Sequence, residues 1–219
     1  MKHFVFILTF CTLAALSAQA QGIRFGVKAG ANYSNLAGDV VDEDRYESKF
    51  GVHGGLMLNV GLIDDGFLSL QPELLFSQKG FKYADRDVTI GNDRFRFTGK
   101  LTYNYLDVPV LLKINAGGLF FEAGPQFGYL LSASDDIEIT RNGQTQTSSQ
   151  NYSNLDDVKR TEVGYAAGLG YQAKSGPMIG LRYNGSLTDF ADDGYQGDEF
   201  RNARNSVFLL SVGFMFGGE

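Results

Sequence analysis

The sequence predicts an all-β protein: an eight-stranded antiparallel up-and-down transmembrane β-barrel with short periplasmic turns and long extracellular loops. Three observations lead to this prediction. Apolar residues alternate with polar residues and glycine along eight stretches, and the connections between the stretches are alternately long and short. The chain also begins with a segment typical of exported proteins, and no later apolar run is long enough for a membrane-spanning helix. Period-two alternation on an even number of strands is typical of barrels in the bacterial outer membrane.

Residues 1–20 are predicted to be a signal peptide, and residues 21–219 a single barrel domain. Lys2 precedes an apolar run over residues 4–16, and small residues at a cleavage site end the segment. The only cysteine, Cys11, lies inside this run, so the exported part has no disulfide to stabilise it. The formal net charge of -6 argues against nucleic acid as a partner.

Each predicted strand presents an apolar face made of alternate residues. In chain order, these faces contain Phe25, Val27 and Tyr33; Leu56, Leu58 and Val60; Leu70, Leu74 and Phe76; Leu106, Val108, Val110 and Leu112; Phe121, Phe127 and Tyr129; Val163, Tyr165 and Leu169; Ile179, Leu181 and Tyr183; and Phe208, Leu210, Val212 and Phe214. Short turns are predicted at residues 64–66, 115–118 and 174–177. Long loops are predicted to end near Lys49 and Asn205, and to span about residues 84–98 and 132–159.

The opposite face of the strands is rich in glycine, which favours a narrow lumen over a solvated surface. The apolar face is therefore assigned to lipid, with aromatic residues near both strand ends forming two girdles. The alternative is a soluble, lipocalin-like periplasmic barrel whose apolar face lines a ligand cavity.

A set of charged residues is predicted to face the lumen. A charge in a narrow interior is costly unless it is paired, so a charge network is expected inside the barrel. In this prediction the carboxylates face two arginines, and the members are Arg24, Glu73, Asp107, Glu122 and Arg182. The network is expected to fill the barrel as a structural plug, and the alternative is a polar path for ions or small solutes.

No catalytic, cofactor-binding or metal site is predicted. His53 is the only histidine after the signal peptide, and it is expected to form hydrogen bonds in the lumen. The acidic loop 189–199 carries carboxylates and glycines but departs from the EF-hand pattern at Ala191 and Phe200. The sequence therefore predicts a protein that is not an enzyme, without cofactors.

Three segments carry sequence motifs: residues 70–80 (LQPELLFSQKG), residues 105–113 (YLDVPVLLK), and the Gly-rich stretch 164–170 with the Leu-Arg-Tyr sequence 181–183. Together they resemble the PorT-like outer-membrane β-barrel family of Bacteroidota. The resemblance implies an outer-membrane barrel and implies no enzymatic activity.

The predicted function is that of a structural or interaction scaffold in the bacterial outer membrane, reached after signal-peptide cleavage. The long loops carry the binding sites in this hypothesis. The expected partners are outer-membrane lipid and, through the loops, other envelope proteins or external ligands. The alternatives are a small-solute or ion pore and the soluble barrel that binds an apolar ligand.

Overall fold

A computed structural model describes residues 22–38, 46–63, 66–152, 159–189 and 203–217. The predicted signal peptide and most of the acidic loop 189–199 lie outside these ranges. The described part contains nine strands: β1 (Ile23–Ala37), β2 (Tyr46–Gly61), β3 (Leu68–Ile90), β4 (Asp93–Ala116), β5 (Leu119–Arg141), β6 (Gln144–Tyr152), β7 (Thr161–Gln172), β8 (Pro177–Ser186) and β9 (Arg204–Phe216). No helix in the described ranges is long and apolar enough to span a membrane.

Eight of the strands form a closed antiparallel ring. The pairing follows β1-β2-β3-β4-β5-β7-β8-β9, and β9 returns to β1 in a continuous register from Phe25 opposite Phe216 to Ala37 opposite Arg204. The predicted eight-stranded up-and-down barrel is therefore confirmed. The additional strand, β6, pairs only with the end of β5 and takes no part in the ring.

Two segments predicted as loops are strands, so that part of the prediction is wrong. Residues 84–98 continue the β3–β4 hairpin to a turn at residues 91–92. In the segment 132–159, β5 continues to a turn at Asn142-Gly143, and β6 runs back beside it. Both turn residues have positive φ angles, 48° and 86°, as a two-residue type I′ hairpin requires.

The ends of β3, β4, β5 together with β6 form a four-stranded sheet that extends past the barrel. We call it the projecting sheet and define it as residues 84–103 and 132–152. The β4 strand has 24 residues, whereas about 9–11 residues span a bilayer. The β7 and β8 strands have 12 and 10 residues. The barrel is therefore much taller on the side of β3 to β5.

The apolar faces of the barrel strands point outward, as predicted. Phe25, Phe50, Leu56 and Val212 are each more than half exposed, whereas the residues between them face the lumen. At the end of the barrel that carries the projecting sheet, aromatic side chains on neighbouring strands form a belt. Its members are Phe50, Tyr33, Phe208, Tyr183 and Tyr165. Phe214 and Phe216 lie at the other end of the strands, with ring centroids 5.0 Å apart. An apolar band between aromatic belts is the surface of a membrane barrel.

We expect Leu56→Arg to lower the free energy of unfolding in lipid by about 2–4 kcal/mol, because Leu56 lies in the middle of β2 on the lipid-facing side. Ile90→Arg is the matched control, since Ile90 is 65% exposed and Leu56 is 60% exposed, but Ile90 lies at the tip of the projecting sheet. Urea unfolding of the protein refolded into liposomes measures both variants. Equal effects would contradict the assignment of the apolar band to lipid.

Candidate functional site: a closed lumen and a projecting sheet

A compact ion cluster occupies the middle of the lumen. Glu73 accepts hydrogen bonds from Lys28 Nζ at 2.9 and 3.0 Å and from Arg182 Nη1 and Nη2 at 2.7 and 2.9 Å. Arg182 Nε also donates to Glu122 Oε1 at 2.6 Å. The Glu73 side chain is fully buried. Two cations and two carboxylates therefore neutralise each other, which offsets the cost of burying them.

The structure brings together only part of the predicted charge network. Glu73, Glu122 and Arg182 meet as described, and Lys28 joins them. Asp107 lies in a separate cluster, and Arg24 donates to Asn59 Oδ1 at 3.3 Å. The expected arrangement of all three carboxylates around the two arginines is therefore wrong, because register places these residues at different heights along the barrel.

The second cluster is centred on Lys79. Its Nζ donates to Asp107 Oδ1 at 3.0 Å and to Glu162 Oε1 at 2.7 Å, and it lies 4.3 Å from the centroid of the Tyr105 ring. Asn205 Nδ2 donates to the other oxygen of Glu162 at 2.5 Å. Sequence reasoning omitted Glu162, although its even position on β7, in phase with the glycines of the lumen face, was the available signal.

His53 takes part in a chain of buried hydrogen bonds. Its Nδ1 lies 2.6 Å from Asn32 Oδ1, which can only accept, so Nδ1 carries the proton. Its Nε2 lies 2.8 Å from Ser211 Oγ and accepts from that hydroxyl. Ser, His and Asn in this order resemble a nucleophile, its base and an orienting group. All three are buried among the side chains of the lumen, at most 6% exposed.

Apolar layers close the lumen at both ends. Beyond the Lys79 cluster, on the side of the projecting sheet, buried apolar side chains pack together: Leu36, Tyr46, Phe81, Leu101, Tyr103, Tyr105, Leu130, Ala133 and Ala203. The opposite end is closed by Met57, Phe120, Met178 and Met215. A water-filled passage would expose the charged groups between these layers, but Lys28, Glu73, Lys79 and Asp107 are each at most 5% exposed. The described lumen is therefore a packed core.

Gly170 makes room for part of this packing. The Phe120 ring lies against β7 and β8, where a Cβ on Gly170 would come within 2.4 Å of the ring. The centroid of the same ring lies 4.2 Å from Lys113 Nζ. Lys113 Nζ donates a hydrogen bond to Gln172 Oε1 at 2.7 Å. A side chain in place of Gly170 would collide both with this ring and, at 2.3 Å, with the backbone oxygen of Ile179 on β8.

The projecting sheet exposes an apolar surface. The odd-numbered residues of β4 face the lumen within the barrel and continue on the same face above it, and we call this the inner face. Its apolar side chains come from three strands: Val88, Ile90, Phe95, Phe97, Ile137 and Ile139. Four of them, those of Ile90, Phe97, Ile137 and Ile139, are between 37% and 65% exposed. Contiguous exposed apolar side chains above a membrane barrel mark a candidate interaction surface.

The other face of the projecting sheet, the outer face, is polar. It carries Asp87 opposite Arg96, Thr89 opposite Arg94, and Thr98 opposite Glu138. Arg96 Nε donates to Asp87 Oδ1 at 2.9 Å, and this hydrogen bond holds the pKa of the Asp87 carboxyl below its usual value. The projecting sheet therefore has a polar outer face, turned away from the barrel axis, and an inner face on which apolar side chains lie beside the Asp93–Arg141 ion pair.

A closed eight-stranded ring with a lipid-facing apolar band defines a membrane β-barrel. The chain belongs to the family described as outer membrane protein beta-barrel domain, whose model matches residues 18–192. The outer-membrane location is thereby supported, and the alternative of a soluble, lipocalin-like barrel is not. The match does not single out the PorT-like group. No curated protein matches the chain.

Several solved outer-membrane proteins are similar to the chain. Ail, the attachment invasion locus protein of Yersinia pestis, has 15% identity and a TM-score of 0.44, with 88% of this chain and 98% of Ail covered. Neisserial surface protein A has 14% identity and a TM-score of 0.37, with 88% of this chain and 98% of that protein covered. The outer membrane protease OmpT from Escherichia coli has 9% identity and a TM-score of 0.34, with 89% of this chain and 95% of OmpT covered.

The described residues hold no group of three or more His, Cys, Asp or Glu side chains suited to a metal ion. The acidic loop 189–199 lies outside them except for Asp189, whose Oδ1 accepts from Arg204 Nε at 3.0 Å.

Glu73→Gln tests the central cluster. We expect it to lower the free energy of unfolding by about 3–5 kcal/mol, because it leaves Lys28 and Arg182 buried with one carboxylate between them. The double variant Lys28→Gln with Glu73→Gln restores the charge balance and should recover part of this loss. Urea unfolding in liposomes measures both.

Asp87→Asn is the control. It removes the solvent-exposed ion pair between Asp87 and Arg96, whose nitrogen–oxygen distance of 2.9 Å equals that of the buried pair between Lys28 and Glu73. Because water and salt screen exposed pairs, it should leave the unfolding curve unchanged. A double variant no more stable than Glu73→Gln alone would show that the cluster is not held by charge balance.

Proposed function

We propose that this protein is a non-enzymatic interaction scaffold of the outer membrane that binds an external protein through its projecting sheet. The observation that carries the proposal is the contrast between the lumen of the barrel and the inner face of the projecting sheet. Charged side chains are buried and paired inside the barrel, whereas apolar side chains are exposed on the inner face of the sheet above it. Exposed apolar surface of this kind is costly in water and is typical of a binding surface.

The alternative of an ion or solute pore has less support. Eight strands leave an interior just wide enough for side chains, and here those side chains fill it. Catalysis also has less support, because His53 and Ser211 lie within the packed lumen. Membership of the PorT-like group and cleavage of residues 1–20 remain part of this proposal, on the sequence motifs given above.

We expect the protein in planar lipid bilayers to show no steady conductance, because apolar layers close both ends of the described lumen. A refolded porin serves as the positive control for insertion. Steady, reproducible channels that appear with the refolded protein and not with detergent alone would favour the pore instead.

The interaction role is tested with a peptide library displayed on phage and selected against the protein in lipid nanodiscs. The triple variant Ile90→Asp, Ile137→Asp, Ile139→Asp should weaken selected peptides at least about tenfold, because it charges the apolar inner face. The matched control is Thr89→Asp, Thr98→Asp, Thr140→Asp, which adds the same charge to the outer face and should leave binding unchanged. No enrichment over empty nanodiscs, or equal loss in both variants, would refute a binding role for the inner face.

A further inference from the structure

Strand β6 forms one edge of the projecting sheet. In the described part of the chain it pairs with β5 on one side and with no strand on the other. Residues 144–150 are all exposed. The pairing with β5 is regular from Arg141 opposite Gln144 to Ala133 opposite Tyr152, without a bulge. A regular edge strand presents a row of backbone donors and acceptors to any extended chain that approaches it.

The composition of β6 contains none of the features that usually protect an edge. Its sequence, QTQTSSQNY, has no charged residue and no proline. The opposite edge of the projecting sheet, at residues 84–90 of β3, also has no proline but differs in charge and in regularity. It carries Asp85, Arg86 and Asp87, and its register shifts between Tyr83 and Arg86. Charges and a bulge discourage strand addition, so among the described residues β6 is the edge of this sheet that is open to it.

The turn fixes which backbone groups of β6 point outward. A two-residue hairpin closes with a hydrogen-bonded pair, here Arg141 and Gln144, and hydrogen-bonded pairs alternate along an antiparallel ladder. The backbone N–H and C=O groups of Thr145, Thr147 and Ser149 therefore point away from β5. They repeat at the spacing that a new strand requires.

We infer that β6 binds an extended peptide strand of another protein by strand addition, with Thr145, Thr147 and Ser149 supplying the backbone hydrogen bonds. This inference rests on the proposed function and specifies the partner. Because the edge is uncharged and its side chains are hydroxyls and amides, the complementary strand is uncharged, free of proline and rich in Thr, Ser and Gln. Backbone pairing gives the affinity, and the side chains of the added strand give the specificity.

A second copy in the same membrane does not fit this edge. Every copy has β6 running from the tip of the projecting sheet back toward its own barrel, so two neighbouring copies would bring their β6 strands together in parallel. In a parallel pair, each hydrogen-bonded residue of one strand bonds to the two residues that flank its partner on the other strand. The two strands therefore use different sets of residues and are not equivalent. Such a pair is incompatible with the two-fold symmetry of a dimer whose axis lies along the membrane normal. An external strand has no such restriction.

The variant Thr147→Pro removes one outward N–H from the edge. It leaves the hydrogen bonds to β5 in place, because proline is tolerated on an edge where the N–H faces solvent. Thr147→Val is the matched control, since it keeps the N–H and loses only the hydroxyl. The probe is a disulfide-closed hairpin peptide whose outer strand reads Thr-Gln-Thr-Ser-Thr-Gln-Thr. A second hairpin carries N-methyl groups on the outward amides of that strand.

We expect the unmethylated hairpin to bind the protein in nanodiscs and the methylated hairpin to bind at least about tenfold more weakly. Thr147→Pro should cause a similar loss and Thr147→Val should not. Bound hairpin should also slow amide hydrogen exchange in residues 144–152, which a contact through side chains alone would not do. Absence of binding by the unmethylated hairpin, or binding that methylation and Thr147→Pro leave unchanged, would overturn the inference.

The two proposals fail in different ways. If phage-selected peptides lose affinity on the inner-face triple variant but not on Thr147→Pro, the projecting sheet binds through its apolar face and strand addition is wrong. If the library shows no enrichment while the hairpin still binds and protects residues 144–152, the edge binds without the inner face.

Discussion

The pairing of β9 with β1 is the constraint on which the rest of the structure depends. In a bilayer each unpaired backbone N–H or C=O costs several kcal/mol, so a sheet can cross only if it has no edge. The register from Phe25 with Phe216 to Ala37 with Arg204 closes the ring along β1 from its third residue to its end. Closure with eight strands also fixes a narrow interior. The lumen must then be filled by side chains, and any charges among them must be paired.

The interior meets this requirement in layers. The neutral cluster around Glu73 occupies the middle, the Lys79 cluster lies beyond it toward the projecting sheet, and apolar groups close both ends. A polar group that lacks a partner in the lumen lowers the stability of the barrel, because the surrounding strands exclude the water that would otherwise bind it. In the proposed function, the packed barrel supports the long β3, β4 and β5 strands where they continue past the bilayer. Within the described residues, the projecting sheet there exposes apolar side chains and ends at β6, which is paired on one side.

The fold was largely predictable from the sequence, and the projecting sheet was not. Alternation along Ile23–Tyr33 and its equivalents identified the barrel strands and their lipid-facing sides. The same alternation continues in Val88 and Ile90, in Phe95 and Phe97, and in Ile137 and Ile139. Charged residues between these positions made the segments resemble solvated loops. Asn142-Gly143 was an available hairpin signal that the length of the polar stretch obscured.

The sequence by itself determined the eight-stranded barrel, its lipid-facing sides and part of the set of charges inside it, because a period of two fixes which side chains share a face. The tertiary structure alone decided which charges meet. Arg182 lies beside Glu73 and Glu122, Asp107 beside Lys79, and Arg24 beside Asn59, because strand register and stagger set the height of each residue. The position of β6 at an edge of the described sheet was likewise decided by tertiary structure, since whether a strand has one neighbour or two depends on pairings distant in the chain.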